Sequence, residues 1–299
     1  MSDGDPSPQP IQSASSVLMI RPSTAFSNPE TLADNSFQSP ATPKDALDRV
    51  QGEFDGLVCA LDLRGVAVTV IQDLPEPSTP DAMFPNNWFS TEPGRLTLYP
   101  MLAPSRAAEA KPAVLGHLRS RYPEVLDLRG LPPLEGTGSL VLDRVNRHAY
   151  AARSPRTSPV TLAQWAIESG YSFTVFDTAD GEGVPVYHTN VMMAVGTGWA
   201  ILCTESVIGN ESRLAILEQL EGREVIEITP SQMARFAGNM IELQGAHGPV
   251  IAMSANAYGS LESGQIRQLS QHGEPLAVEI ATIEQIGGGS VRCMVAELF

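Results

Sequence analysis

Along the chain, apolar residues fall in two alternating rhythms: short β-branched runs spaced as in strands, then stretches in which apolar positions recur at helical intervals. The helical spacing predicts helices over 43–61, 105–122, 157–170, 210–220 and 258–272. Each precedes a predicted strand, at 66–71, 125–128, 173–176, 225–228 and 276–280. The first helix is the best marked, with Thr42 expected as N-cap, Pro43 at the first helical position and Asp45 in the first turn. Between the helices, 139–143 with 148–152 and 186–195 with 199–203 pair as hairpins. Five helix-then-strand units at broadly regular spacing indicate an α/β repeat architecture that closes on itself. A doubly wound parallel sheet fits less well, because it alternates single strands with helices and leaves the hairpins without a place.

Residues 1–16 hold mostly Ser, Pro, Gln and Asp, too little apolar surface to offset the entropy of ordering them. They read as a disordered tail ahead of one folded unit over 17–299. No run approaches the roughly 20 apolar residues that cross a bilayer, and the first residues lack the basic-then-apolar pattern of an export signal. A net charge of -15 with only 19 Lys and Arg opposes binding to nucleic acid or to anionic membranes. The expected partner is a small molecule, with homo-oligomerisation left open. Three cysteines, far apart and odd in number, argue against a disulfide framework and for a reducing compartment, the cytoplasm by default. Cys59 and Cys203, inside apolar segments, read as small buried hydrophobes.

The third cysteine is different. Cys293 follows Gly287-Gly288-Gly289 and stands at the expected start of a final apolar strand, where glycines let backbone approach a ligand and free N–H groups can hold an oxyanion. A nucleophilic thiol needs a proton acceptor and a group that orients it. Among five histidines, His188 lies in Val186-Tyr187-His188-Thr189-Asn190-Val191, an apolar setting that requires hydrogen-bond partners for the ring. Glu135, beside Gly136 and ahead of a strand, is the candidate carboxylate. No metal-ligand spacing, P-loop, dinucleotide fingerprint or serine elbow occurs, so neither metal nor cofactor is expected.

Four segments in order, Pro80 to Trp88, Leu134 to Leu140 with Ser154 to Thr157, Tyr187 to Asn190, and Gly287 to Met294, resemble the guanidine-modifying superfamily of arginine deiminases, dimethylarginine dimethylaminohydrolases and amidinotransferases. Within it the chain is most similar to the citrulline-utilisation hydrolase (citrulline ureidase) branch. The resemblance implies a fivefold ββαβ propeller (pentein) around a central pocket. It implies Cys293 as nucleophile, His188 as general acid/base and Glu135 as the carboxylate supporting His188. It also implies that Asp81 holds substrate and that Arg156 takes the substrate carboxylate.

The chain departs from guanidine-binding members by placing Asn86, Asn87 and Asn190 where they commonly carry acids. A guanidinium only donates and wants carboxylates, whereas a neutral ureido group also offers a carbonyl acceptor that an asparagine can satisfy. This favours citrulline, cleaved to ornithine, carbon dioxide and ammonia. Deimination of arginine or methylarginine, amidino transfer, and a non-catalytic propeller used for binding are the alternatives.

Overall fold

The computed structural model describes residues 11–299. It contains five three-stranded sheets with one wiring. The first sheet runs β1 (Ser16–Arg21), α1 (Ala46–Asp62), β2 (Ala67–Gln72). The second holds β3 (Phe89–Glu92), β4 (Arg95–Leu98) and β5 (Glu124–Asp127), with α2 (Pro112–Arg121) between the last two. The third holds β6 (Val141–Asp143), β7 (His148–Ala152) and β8 (Ser172–Phe176), crossed by α3 (Pro159–Ser169). The fourth holds β9 (Met193–Val195), β10 (Trp199–Leu202) and β11 (Glu224–Glu227), crossed by α4 (Asn210–Gln219). The fifth holds β12 (Ile241–Gly245), β13 (Gly248–Ser254) and β14 (Glu274–Val278), crossed by α5 (Ser263–His272). After α6 (Ala281–Gly287), β15 (Ala296–Glu297) pairs antiparallel with β1 and completes the first sheet. In every sheet the middle strand is antiparallel to one neighbour and parallel to the other.

Sequence pattern explains which strand takes the middle. β1, β7 and β10 read as nearly continuous apolar runs, and Val17 to Ile20, Ala149 to Ala152 and Trp199 to Leu202 are buried throughout, as a strand covered on both faces requires. The outer strand β2 has no fully buried residue and carries Thr69 and Gln72 among its apolar positions. Helix α1 presents Val50, Phe54, Leu57 and Leu61 to the core at steps of four, three and four. Each such side chain contributes roughly 1.5–3 kcal/mol by leaving water. Among the described residues, no helix is long and apolar enough to cross a membrane.

The inner strands share a second feature. A short turn precedes each of them: Pro85–Asn87 before β3, Gly136–Ser139 before β6, Thr189–Val191 before β9, a turn at 236–239 before β12, and Val291–Met294 before β15. These turns hold the candidate chemistry.

Several expectations are corrected here. Thr42 does not cap α1; helix starts three residues later, after Asp45, and the Thr42 hydroxyl accepts from the Ser27 N–H at 3.2 Å. The helix expected over 105–122 breaks into Pro104–Ala107 and α2, because Pro112 cannot continue a preceding helix and starts a new one. Helix α5 begins at Ser263, behind a separate turn at Ala255–Tyr258. Part of the expected tail is folded: Gln12, Ser13 and Ala14 are buried, and the Gln12 amide donates to Leu142 O and accepts from Arg144 N. Residues 1–10 lie outside the described residues. His188 is not within a strand but immediately before the Thr189–Val191 turn, and Cys293 sits inside the helical turn Val291–Met294 rather than at a strand start. Cys59 is exposed on the outer face of α1, while Cys203 is buried as expected.

Neighbouring sheets are tied by buried polar groups as well as by apolar packing. Arg223, in the loop before β11, donates two bonds of 2.7 and 2.8 Å to Asp143 at the end of β6, and both side chains are buried. Removing one partner strands the other charge out of water. Asp143→Ala should lower the unfolding free energy by about 3–5 kcal/mol in urea titrations, and Asp143→Leu combined with Arg223→Met should recover a large part of that loss.

Candidate functional site

The turns that precede the inner strands pack on one another, and a small cavity lies beside them. Thr137 on the Gly136–Ser139 turn exchanges hydrogen bonds with Asn86, and the Thr189 hydroxyl donates to Ser139 O at 2.6 Å. The Val291–Met294 turn packs on Pro85–Asn87. Asp81, Asn87, Arg106, Arg156, His188 and Cys293 line the cavity, and Thr31 and Asn35 from the 22–45 segment cover it.

Glu135 is the hub. Its Oε2 lies 2.7 Å from His188 Nε2 and 3.5 Å from an Arg156 nitrogen, and its Oε1 accepts from the Leu102 N–H at 3.0 Å. The antiparallel bridge between Leu134 and Thr157 brings Glu135 and Arg156 together. Burial alone would raise the Glu135 carboxyl, but the Arg156 charge, the His188 hydrogen bond and Arg106 outweigh it and hold the pKa at about 2. For His188 burial wins: despite the Glu135 bond, the imidazole pKa is pushed below its ordinary value, leaving it neutral at pH 7. With Nε2 engaged by a carboxylate, Nδ1 is the nitrogen left to take a proton. An ideal Cβ on Gly138 would fall 2.8 Å from that Nδ1 and 2.4 Å from Asn87 Nδ2, so this position has to be glycine for the two side chains to lie side by side.

Arg156 does not face the cavity unpaired. Its Nε and Nη2 bond both oxygens of Asp34 at 2.9 and 2.5 Å, and its guanidinium lies over the Tyr187 ring. Asp81 accepts from Asn28 at 2.7 Å through Oδ2, while its buried Oδ1 has no partner; burial raises this carboxyl above its usual range against the pull of Arg106. Arg106 is held two-pronged by Glu109 at 2.7 and 3.1 Å, and also donates to Phe84 O and to Asn87 Oδ1 at 2.8 Å. Asn87 Nδ2 is buried without a partner. Asn86 points away from the cavity, donating to Thr137. Beside Cys293, the amides of Asn190 and Asn239 approach Sγ at 3.5 and 3.4 Å.

The structure thus brings together Cys293, His188, Glu135, Asp81, Asn87, Arg156 and Asn190, with Asn86 behind them. The other histidines are elsewhere: His148 bonds Ser172 and Thr174, and His272 bonds Glu224. Sequence reasoning missed Arg106, Glu109, Asp34 and Asn239. Arg106 and Glu109 sit in a charged stretch that looked like a solvated helix. Asn239 occupies, before β12, the same place as the other four turns, which was the available signal.

A family profile described as N,N dimethylarginine dimethylhydrolase, eukaryotic, matches residues 21–299. A search among curated protein sequences finds no match. Among solved structures, the N-terminal domain of ArgZ, an arginine dihydrolase from the ornithine-ammonia cycle in cyanobacteria, aligns with TM-score 0.77 and 15% identity over 94% of this chain and 98% of that one. AgrE aligns with TM-score 0.77 and 18% identity, over 94% of this chain but only 38% of its own length. DDAH from Pseudomonas aeruginosa, complexed with citrulline, aligns with TM-score 0.69 and 15% identity over 96% and 100%. Identities this low establish likeness of fold.

The site's electrostatics are testable without a substrate. Because Glu135 raises the affinity of His188 for a proton, Glu135→Gln should move the His188 titration, followed by NMR, to lower pH than in the wild type, itself below about 6.5.

Proposed function

The chain belongs to the N,N-dimethylarginine dimethylhydrolase family, and on that premise we propose that it is a cysteine hydrolase cleaving the ureido C–N bonds of citrulline to ornithine, carbon dioxide and ammonia. In this reading the five sheets are the blades of a closed ββαβ propeller, with 17–299 as its catalytic unit. One observation carries the choice of substrate. Arginine only donates, so the bond from Arg106 fixes Asn87 Oδ1 as the acceptor and leaves Nδ2 as a buried donor in the cavity wall, beside His188. A guanidinium has no lone pair to offer it. A ureido carbonyl does, while the ureido N–H groups suit the unpartnered Asp81 Oδ1.

The proposed reaction begins with neutral His188 taking the thiol proton of Cys293. The thiolate attacks the ureido carbon, and backbone N–H groups near the glycine turn steady the oxyanion. Protonated His188 hands its proton to the departing nitrogen, leaving a carbamoyl thioester. Glu135, ionised across the working range, keeps the ring oriented and stabilises its charged form. Water, losing a proton to the same imidazole, adds to the thioester and releases Cys293. The carbamate falls apart to carbon dioxide and amine, so one water is consumed overall. Arg156 is the anchor for the substrate carboxylate, which reaches it by replacing the Asp34 oxygens. The matched family's own activity supports a second reading, hydrolysis of methylarginine to citrulline.

A panel of citrulline, arginine, methylarginine and agmatine separates the two readings. We expect ornithine and ammonia from citrulline only, abolished in Cys293→Ala; citrulline produced from methylarginine would establish the second reading instead, and citrulline produced from arginine would make it a deiminase. Gly138→Ala should leave the protein folded, since the atoms nearest its new methyl group belong to the side chains of Asn87 and His188 and not to backbone. Its kcat should fall on the order of 100-fold, because His188 and Asn87 must move.

A further inference from the structure

Four of the five turns that precede inner strands supply the groups used above. The fifth, at 236–239, has no assigned part, yet its last residue reaches the reacting atom. Asn239 is fully buried, with Nδ2 3.4 Å from Cys293 Sγ and 2.9 Å from Asn190 O. Its Oδ1 accepts from the Arg292 N–H at 3.1 Å, and because that group only donates, the amide cannot be turned the other way. Asn190 Nδ2 approaches the same sulfur from the preceding turn at 3.5 Å. The backbone is bent to put Asn239 there. Phe236 has φ +63°, a costly conformation for a bulky residue, and an ideal Cβ on Gly238 would lie 2.4 Å from Val191 O, so the chain passes directly under the Thr189–Val191 turn.

We propose that Asn239 is a catalytic residue whose amide, together with that of Asn190, forms a two-donor cradle for the Cys293 thiolate. This rests on the reading of Cys293 as nucleophile. In the thiol form, S–H points to Asn239 Oδ1, 3.7 Å away. When His188 takes that proton, the negative sulfur accepts from the two amide N–H groups instead. The same cradle receives the sulfur when the thioester is cleaved, so it serves both halves of the reaction. Hydrogen bonds to the charged form favour that form.

The test is the pH dependence of Cys293 alkylation by iodoacetamide in the full-length protein, read by mass spectrometry of the Cys293 peptide, with fold checked by circular dichroism. Asn239→Ala removes one donor and should raise the midpoint by about one pH unit. Asn239→Asp keeps the shape and the acceptor for Arg292 but replaces a donor by a negative charge, and should raise the midpoint further. If one variant fails to fold, the other is read alone. In both, kcat for citrulline should fall at least about tenfold with KM changed less than about twofold, since Asn239 touches sulfur and not substrate. Midpoints equal to the wild type would overturn the proposal, even with activity lost. Shifted midpoints in a protein that turns over none of the substrate panel would instead leave the cradle standing and sink the functional reading. If neither variant folds, Gly238→Ala, which pushes the 236–239 turn off Val191, should raise the midpoint in the same direction, and an unmoved midpoint there counts against the cradle.

Discussion

A buried carboxylate must be surrounded by donors or it will not stay charged, and the centre of this protein is arranged around one that is. Isolated from water, the Glu135 anion would cost several kcal/mol. It is stable only because the Arg156 guanidinium, the His188 ring and the Leu102 N–H all converge on it. Those three groups come from separate stretches of chain, belonging to the second, third and fourth sheets. The electrostatic requirement at one atom pair therefore fixes how three sheets sit at the centre. Arg106 and Glu109 make a second such knot, and Arg106 reaches from it to Asn87.

Apolar packing sets the frame within which these knots can form. The middle strands, buried on both faces, are stiff supports, and every inner strand is led into the centre by a turn. The turns approach closely enough that side chains at their junctions are excluded, as at Gly138 and Gly238. Repetition of one module thus delivers five backbone corners to one place, and the chemistry differs because the corner residues differ. Those corners bear Asn87, Glu135, His188, Asn239 and Cys293.

Much of this was legible in the sequence, and the failures have physical causes. The alternation of helical and strand rhythms located all five crossover helices and the strands after them. Boundaries slipped where local chemistry overrode rhythm: Pro112 split a helix, and Pro43 to Asp45 stayed outside α1 with no side-chain cap on either Thr42 or Asp45. The 186–192 stretch is apolar and β-branched, yet forms a buried turn because His188 and Asn190 are drawn to Glu135 and Cys293. Gln12 to Ala14 looked like tail because two polar residues of three suggest solvent, whereas Gln12 and Ser13 find partners in Leu142, Arg144 and Glu242. The cluster of Cys293, His188 and Glu135 could be named from motifs. Arg106 and Asp34 could not, because pairing across 19 and 122 residues leaves no local trace, and Asn239 was marked only by its place before β12.

The citrulline reading proposed above rests on that non-local pairing. By itself, asparagine at position 87 is ambivalent, able to present either a donor or an acceptor to the cavity. Position 106 decides. A guanidinium bound to Oδ1 commits the amide to showing its N–H face inward, and Glu109 keeps that guanidinium in place through two further bonds. Two charged residues thereby set which end of the Asn87 amide is left without a partner. Burial strengthens the effect, since a buried donor left without an acceptor costs more than one exposed to water. On the proposed reading, recognition of the substrate's charge state is therefore a property of the Asn87–Arg106–Glu109 chain as a whole, not of any residue in it taken alone.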